Sequence, residues 1–217
     1  MKKIVLVLTI LLSINAMNGQ GLEIGVYAEP QFVWLTSDNA SATGNGSVLN
    51  FNTGIEFDVF FMPNYAFSIG LTMNNQGGKF ISQDTIVYQL PDDIYILPPA
   101  TEVKHSFQYV GIPIGLKLKT EEMGYTTIYF HGGLAPMLNM RAATSSEQEN
   151  LVKENIENDV NFLSLNYFLE TGFEYRLAGN TAIIVGFKWS AGFNDVTTND
   201  ISNINLSSAG LHLGLLF

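Results

Sequence analysis

The sequence predicts an all-β protein: an eight-stranded antiparallel up-and-down β-barrel that crosses a membrane, with short periplasmic turns and long extracellular loops. Three observations lead to this fold class. Apolar and polar residues alternate over most of the chain, as they do in strands that have one apolar face. Short and long connections alternate between these segments. Only 14% of the residues are charged, against roughly 25% in a soluble domain.

The first twenty residues have the layout of a secretory signal peptide. Lys2 and Lys3 precede an apolar run, Ile4 to Ile14, and small and polar residues follow. A transmembrane anchor is the alternative, but it needs about 20 apolar residues. We therefore expect Sec-type export of a chain with a signal peptide, 1–20, and a barrel domain, 21–217. Cleavage removes two lysines and leaves 8 basic against 20 acidic residues, a net charge of −12.

The composition excludes several classes of function. A net charge of −10 does not fit a nucleic-acid partner. The chain contains no cysteine, which excludes a disulfide framework, a thiolate metal site and a cysteine nucleophile. A mean hydropathy of +0.17 with 20 glycines argues against a disordered chain. No cofactor is expected.

Eight segments show the alternation of a strand. They cover residues 22–34, 49–61, 65–73, 110–118, 128–140, 163–176, 183–193 and 211–217. In the first segment Leu22, Ile24 and Val26 alternate with Glu23 and Gly25. The others repeat this pattern, with Leu, Ile, Val and aromatic residues on one parity and Gly, Ser, Ala, Asn and a few charged residues on the other. Many are longer than the usual ~5–6 residues of a globular strand.

The connections between these strands fall into two kinds. Short turns lie at 62–64, 120–124 and 178–180. Long polar connections lie at 37–47, 77–103, 141–161 and 195–205. Because the two kinds alternate, all short turns lie on the side that holds both termini. An outer-membrane barrel has this arrangement.

A soluble lipocalin-like barrel, with its apolar face turned inward, is the competing interpretation. The outer face of such a barrel would carry many Lys and Glu residues. Here the polar positions that alternate with the apolar ones are rich in small residues, which suit a crowded lumen. Aromatic residues stand toward the strand ends, where a membrane barrel has its interfacial girdles. They are Trp34, Phe61, Tyr65, Tyr175, Trp189 and Phe193. Both observations favour the membrane barrel.

Several segments resemble a known family. Residues 109–117 (YVGIPIGLK), 171–176 (TGFEYR) and 187–194 (FKWSAGFN) resemble the PorT-like outer-membrane barrels of Bacteroidetes, although that family often has Arg-Tyr at Lys188-Trp189. The last strand resembles the sorting signal read by the barrel assembly machinery; the residues concerned are Leu211, Leu213, Leu215 and Phe217. The resemblance implies the outer membrane of a Gram-negative bacterium and, for some members, an accessory role in protein secretion.

The polar face of the predicted strands places a set of charged residues inside the barrel. They are Glu23, Glu29, Glu56, Asp58, Lys117, Glu170, Glu174, Arg176 and Lys188. An eight-stranded barrel is just wide enough for its own side chains, and buried charges need partners. We expect a structural ion-pair network rather than a pore. A proton or ion path is the functional alternative.

No catalytic or metal site is predicted. His105, His131 and His212 are the only histidines, and no Gly-x-Ser-x-Gly motif accompanies them, so a lipid-modifying enzyme has no recognisable nucleophile and base. Acidic pairs such as Asp92-Asp93 and Asn158-Asp159 could supply oxygen ligands for Ca²⁺ but match no EF-hand spacing.

Two connections carry apolar residues of their own. The connection 77–103 is apolar enough to extend strands, to cap the barrel mouth or to offer an edge to a partner, and residues 147–156 predict a short helix. We expect a non-catalytic barrel surrounded by outer-membrane lipid, with a structural or accessory role and an envelope protein as partner. A small-ligand-binding barrel and a lipid-modifying enzyme are the alternatives.

Overall fold

The computed structural model of the protein describes residues 21–37, 42–82, 86–89, 94–146, 151–156, 160–194 and 204–217. The predicted signal peptide, 1–20, lies outside these residues. The described residues form thirteen strands: β1 (Leu22–Ser37), β2 (Ala42–Gly44), β3 (Val48–Met62), β4 (Tyr65–Ser82), β5 (Ile86–Gln89), β6 (Ile94–Leu97), β7 (Glu102–Gly111), β8 (Ile114–Lys119), β9 (Thr126–Ser146), β10 (Leu151–Asn155), β11 (Leu163–Ala178), β12 (Thr181–Gly192) and β13 (Ile204–Leu216).

Eight spanning strands close into a barrel. Going round it, β1, β3 and β4 pair in turn, β4 pairs with β7 and β8, both of these pair with β9, and β11, β12 and β13 follow until β13 pairs with β1. All pairs are antiparallel. β7 and β8 form one spanning strand that is interrupted at Ile112 and Pro113, because proline has no N–H to donate to a ladder. The predicted eight-stranded barrel is confirmed.

The outer face of the barrel is an apolar belt. Residues such as Phe67, Ile114, Leu134, Phe173 and Leu213 point outward and are 40–58% exposed. A continuous apolar surface of this size is unfavourable in water, whereas a closed sheet in lipid leaves no backbone group unpaired. Among the described residues, no helix is long and apolar enough to cross a membrane.

The periplasmic turns are short, as predicted. β3 and β4 are separated by two residues, and β11 and β12 by Gly179 and Asn180. Gly179, with φ 60°, and Gly124 in the turn between β8 and β9, with φ 72°, have left-handed backbone conformations, which cost glycine little because it has no Cβ.

The extracellular side is more regular than the sequence predicts. The connection 77–103 continues β4 to Ser82 and starts β7 at Glu102, with the β5–β6 hairpin between them. The helix predicted at 147–156 is wrong: residues 151–155 are strand β10, paired with β9, because the barrel wall supplies the backbone partners that a short isolated helix lacks. The acidic pairs Asp92-Asp93 and Asn158-Asp159 lie outside the described residues.

Strand β1 shows how the barrel interior is layered. Its inward side chains pass from Glu23 and Glu29 near the periplasmic side, through Gln31, to Val33 and Leu35 at the extracellular end. The interior is therefore charged at the bottom, polar in the middle and apolar at the top.

Candidate functional site

The charged layer contains two clusters, of which the lower is centred on Lys117. This side chain is fully buried, and its Nζ lies 2.6 Å from Asp58 Oδ2 and 2.9 Å from Glu56 Oε1. Glu174 Oε1 lies 3.9 Å away. Lys117 also stands 5.3 Å from the centre of the Tyr129 ring. One buried ammonium therefore balances several carboxylates.

Lys119 continues the lower cluster toward the periplasm. Its Nζ lies 2.7 Å from Glu174 Oε2 and also donates to Glu23. Lys119 is not among the predicted lumen charges because it stands beside the predicted turn 120–124. Lys119 follows Lys117 by two residues and therefore lies on the same face of the strand. This spacing could have placed it in the lumen.

The upper cluster joins five strands around Glu29. Lys188 Nζ lies 2.7 Å and His212 Nδ1 lies 2.9 Å from Glu29 Oε1. Glu170 Oε2 lies 4.0 Å from the same ammonium and 3.6 Å from the same imidazole. The Tyr129 hydroxyl donates to Glu170 Oε1 at 2.6 Å. Each buried charge thus has a partner of opposite sign or a hydrogen-bond donor.

Register and small residues bring these groups together. Glu170 lies opposite Lys188 in the β11–β12 pair and opposite His131 in the β9–β11 pair. A Cβ at Gly186 would lie 2.1 Å from the Tyr129 hydroxyl. Only glycine at this position leaves room for Tyr129 to reach Glu170.

Of the nine predicted lumen charges, the structure brings eight into these two clusters and places one elsewhere. The eight are Glu23, Glu29, Glu56, Asp58, Lys117, Glu170, Glu174 and Lys188. Arg176 is the correction. Its side chain is 55% exposed and pairs with Glu122 of the β8–β9 turn at 2.8 Å. The strand has reached the periplasmic rim there, so parity no longer points a side chain into the lumen.

One group of side chains has the composition of a metal site. Ligand atoms of Glu29, Glu170 and His212 lie within 4.8 Å of one another, and no other such group occurs among the described residues. The Lys188 ammonium already contacts both carboxylates. It therefore supplies the positive charge that a metal ion would bring to this cluster.

A polar layer and an apolar plug lie above the charges. The polar layer surrounds a cavity of about 30 Å³, room for about two waters, lined by residues such as Asn52, Asn74 and Asn166. The apolar plug comprises Val33, Leu35, Phe80, Leu97, Val103, Phe107, Tyr109, Met137, Ala142, Ile156, Val160 and Leu206. Leu97 of β6 takes part, so the connection 77–103 covers the mouth. Among the described residues, the apolar plug closes the extracellular end of the interior.

The sequence of β7 contains a pattern that indicates the apolar plug. At its membrane end Val110 points outward, as does Ile112 just beyond the strand, whereas in the extracellular extension Val103 and Phe107 point inward and Lys104 points outward. Above the bilayer the outer face of the strand meets water. The apolar residues of β7 therefore occupy the inward positions there, and the polar residues occupy the outward ones.

His105 lies within the plug and gives it a pH dependence. Its ring stacks between Phe80 and Phe107, with centroids 4.9 and 5.6 Å away, and burial lowers the pKa of His105 to about 4. The unfolded chain takes up a proton near pH 6.5 and the folded chain does not. Stability is therefore complete above pH 6.5 and decreases as the pH falls toward 4. We expect a loss of about 2 kcal/mol between pH 7 and pH 5.

Denaturant titrations of the wild type and of His105→Phe at the two pH values test this expectation. The variant keeps the stacking but cannot take up a proton, so its stability should change less over this interval, by about 2 kcal/mol. Equal pH dependence of the two proteins would contradict a neutral, buried His105.

These features together define a class of protein. A closed barrel with an apolar outer belt and an ion-paired interior is an integral protein of the Gram-negative outer membrane. The chain belongs to the outer membrane protein beta-barrel domain family, whose sequence model matches residues 15–198.

The chain is similar to several solved structures. Neisserial surface protein A (NspA) is 15% identical, with a TM-score of 0.55 over 92% of this chain and 98% of its own. The outer membrane protease OmpT of Escherichia coli is 9% identical with a TM-score of 0.45 (90% and 96% covered), and OprG of Pseudomonas aeruginosa is 10% identical with a TM-score of 0.43 (91% and 94% covered). No curated protein matches the chain. The likeness to NspA is one of fold alone.

Proposed function

We propose that this protein is a non-catalytic barrel that acts as a structural or accessory component of the outer membrane and contacts an envelope protein through its extracellular surface. The closed interior carries the proposal. A proton or ion path would need connected polar groups from one side to the other, and the apolar plug, which includes Phe107 and Leu97, interrupts them.

Burial also argues against a catalytic role for the charged clusters. His131 is 4% exposed and His212 is 1% exposed, and both lie below the plug and inside the wall. A lipid in the surrounding membrane would have to pass the barrel wall to reach them. A base and an acid that no substrate can approach serve to hold the barrel together.

The extracellular side offers a surface to a partner. β4, β7 and β9 rise above the apolar belt, and β10 extends this wall. Within the described part of the chain, β10 pairs with β9 on one side and with no strand on the other. An edge strand of this kind can accept a strand from another protein.

The resemblance of residues 109–117 and 187–194 to PorT-like barrels supports a more specific role. On this proposal the protein belongs to the PorT-like group of Bacteroidetes, is exported through the signal peptide 1–20, and its partner is a component of a protein-secretion system.

Affinity purification of the tagged protein from native outer membranes in mild detergent, followed by mass spectrometry, tests the accessory role. We expect a stoichiometric envelope partner with the wild type. Replacement of residues 151–155 by an equally long Gly-Ser segment should remove the partner, and the same replacement of residues 121–123 in the β8–β9 turn should retain it. A partner lost only with the turn variant would move the contact to the periplasm, and a clean monomer in every preparation would refute the accessory role.

A further inference from the structure

The basic residues divide between the inside and the outside of the barrel. Lys117, Lys119 and Lys188 are the lumen lysines described above. On the outer wall of the extracellular half stand Lys104 of β7 and Arg141 of β9, both exposed. Neither has an ion pair in the part of the chain that the structure describes. Lys79, which lies opposite Lys104 in the β4–β7 pair, is neutralised by Glu102 at 2.8 Å.

A β-bulge turns Arg141 to the outside. In the β7–β9 pair, Gln108 lies opposite Arg141 and Tyr109 lies opposite Asn139, so Met140 is the extra residue. Met140 and Arg141 consequently both face outward, whereas Ala142 above them faces the lumen. With unbroken alternation Arg141 would point inward, on the side of Asn139. Bulges commonly redirect a side chain in this way.

Lys104 and Arg141 border the same groove on the outer wall. The groove has a volume of about 760 Å³, and its lining also includes Leu49, Phe51 and Gln108. Ser106 and Ala143 lie opposite each other between the two basic residues, and their small side chains leave the groove open.

The groove begins where the apolar belt ends. Leu49 and Phe51 are 66% and 51% exposed, and Met140, directly before Arg141, is 60% exposed. Within the groove, Leu49 and Phe51 form an apolar part, and Lys104 and Arg141 form a basic part. A ligand that fits both parts has an anionic head and an apolar tail.

We propose that this groove binds a phosphate-bearing glycolipid of the outer leaflet, with its phosphates at Arg141 and Lys104 and an acyl chain against Leu49 and Phe51. A guanidinium binds phosphate through two parallel hydrogen bonds, and an ammonium adds a point charge. The exposed Leu49 and Phe51 continue the apolar belt into the groove, which gives a lipid of the outer leaflet a route to it by lateral diffusion. An acidic peptide in the same place would have to cover the exposed Leu49 and Phe51 with apolar residues of its own.

Titration of the purified full-length protein in detergent with lipid A, followed by native mass spectrometry, tests this site. We expect the wild type to bind lipid A, and lipid A stripped of its phosphates to bind at least about tenfold more weakly, because charge-assisted hydrogen bonds are lost. The double variant Lys104→Gln/Arg141→Gln should show a similar loss. Arg141→Lys should fall between, since it keeps the charge and loses the paired hydrogen bonds.

Arg176→Gln is the matched control, because it removes an exposed arginine from the opposite rim and should leave lipid A binding unchanged. Folding of every variant is checked by the mobility shift of the unheated barrel in gel electrophoresis. Unchanged affinity in the folded double variant, or equal affinity for lipid A without phosphates, would overturn the proposal. So would displacement of lipid A by inorganic phosphate at equal concentration, or wild-type binding of an acidic peptide in preference to lipid A.

Discussion

Replacing Lys117 with methionine is expected to lower the free energy of unfolding by about 3–5 kcal/mol, the cost of removing one partner from a buried ion pair. Asp58 and Glu56 lose the ammonium that lies 2.6 and 2.9 Å from their oxygens. The carboxylates of the charged layer outnumber its lysines, and Lys119 is already occupied by Glu174 and Glu23. Among the described residues, no neighbouring cation can take over the role of Lys117.

Urea titration of the barrel refolded in lipid vesicles measures this effect. Lys104→Met is the matched control: the same substitution at an exposed position should change stability by at most about 0.5 kcal/mol. Combining Lys117→Met with Glu56→Gln and Asp58→Asn removes the uncompensated charges and should restore part of the loss. A single Lys117→Met variant as stable as the control would show that the lower cluster does not stabilise the fold.

The sequence was sufficient for the barrel and for most of the charged layer. Alternation with period two determines which side chains face lipid, because a strand that crosses a bilayer has to present apolar residues on its outer face. The same parity placed Glu29 and Lys188 inside, although they are far apart in the chain. It failed for Arg176 because the rule holds only within the thickness of the membrane.

The extracellular half could not be derived in the same way. Above the bilayer the outer face meets water, so the apolar parity of β7 moves inward at Val103 and Phe107 and the simple pattern is lost. The bulge at Met140 depends on pairing with β7, which no local sequence pattern specifies. The contribution of Leu97 to the plug depends on how the β5–β6 hairpin lies against the barrel. These features result from tertiary contacts.

Truncating Phe107 to alanine is expected to destabilise the protein by about 3–5 kcal/mol at pH 7, as in other large-to-small substitutions of buried aromatic residues. Phe107 is 4% exposed, and its ring lies 5.6 Å from that of His105 and 6.2 Å from that of Tyr109. Ser106→Ala, at the adjacent outward position, is the control and should have little effect.

The cost of Phe107→Ala should also depend on pH, because the ring shields His105 from water. Burial lowers the pKa of His105 to about 4, and a cavity that admits water raises this pKa again toward 6.5. The wild type already loses stability to His105 at pH 5, whereas the variant loses less. Denaturant titrations should therefore give a smaller difference between the two proteins at pH 5 than at pH 7. An equal difference at both pH values would mean that no water enters the cavity left by the Phe107 ring. The remaining plug residues would then be sufficient to exclude water from His105.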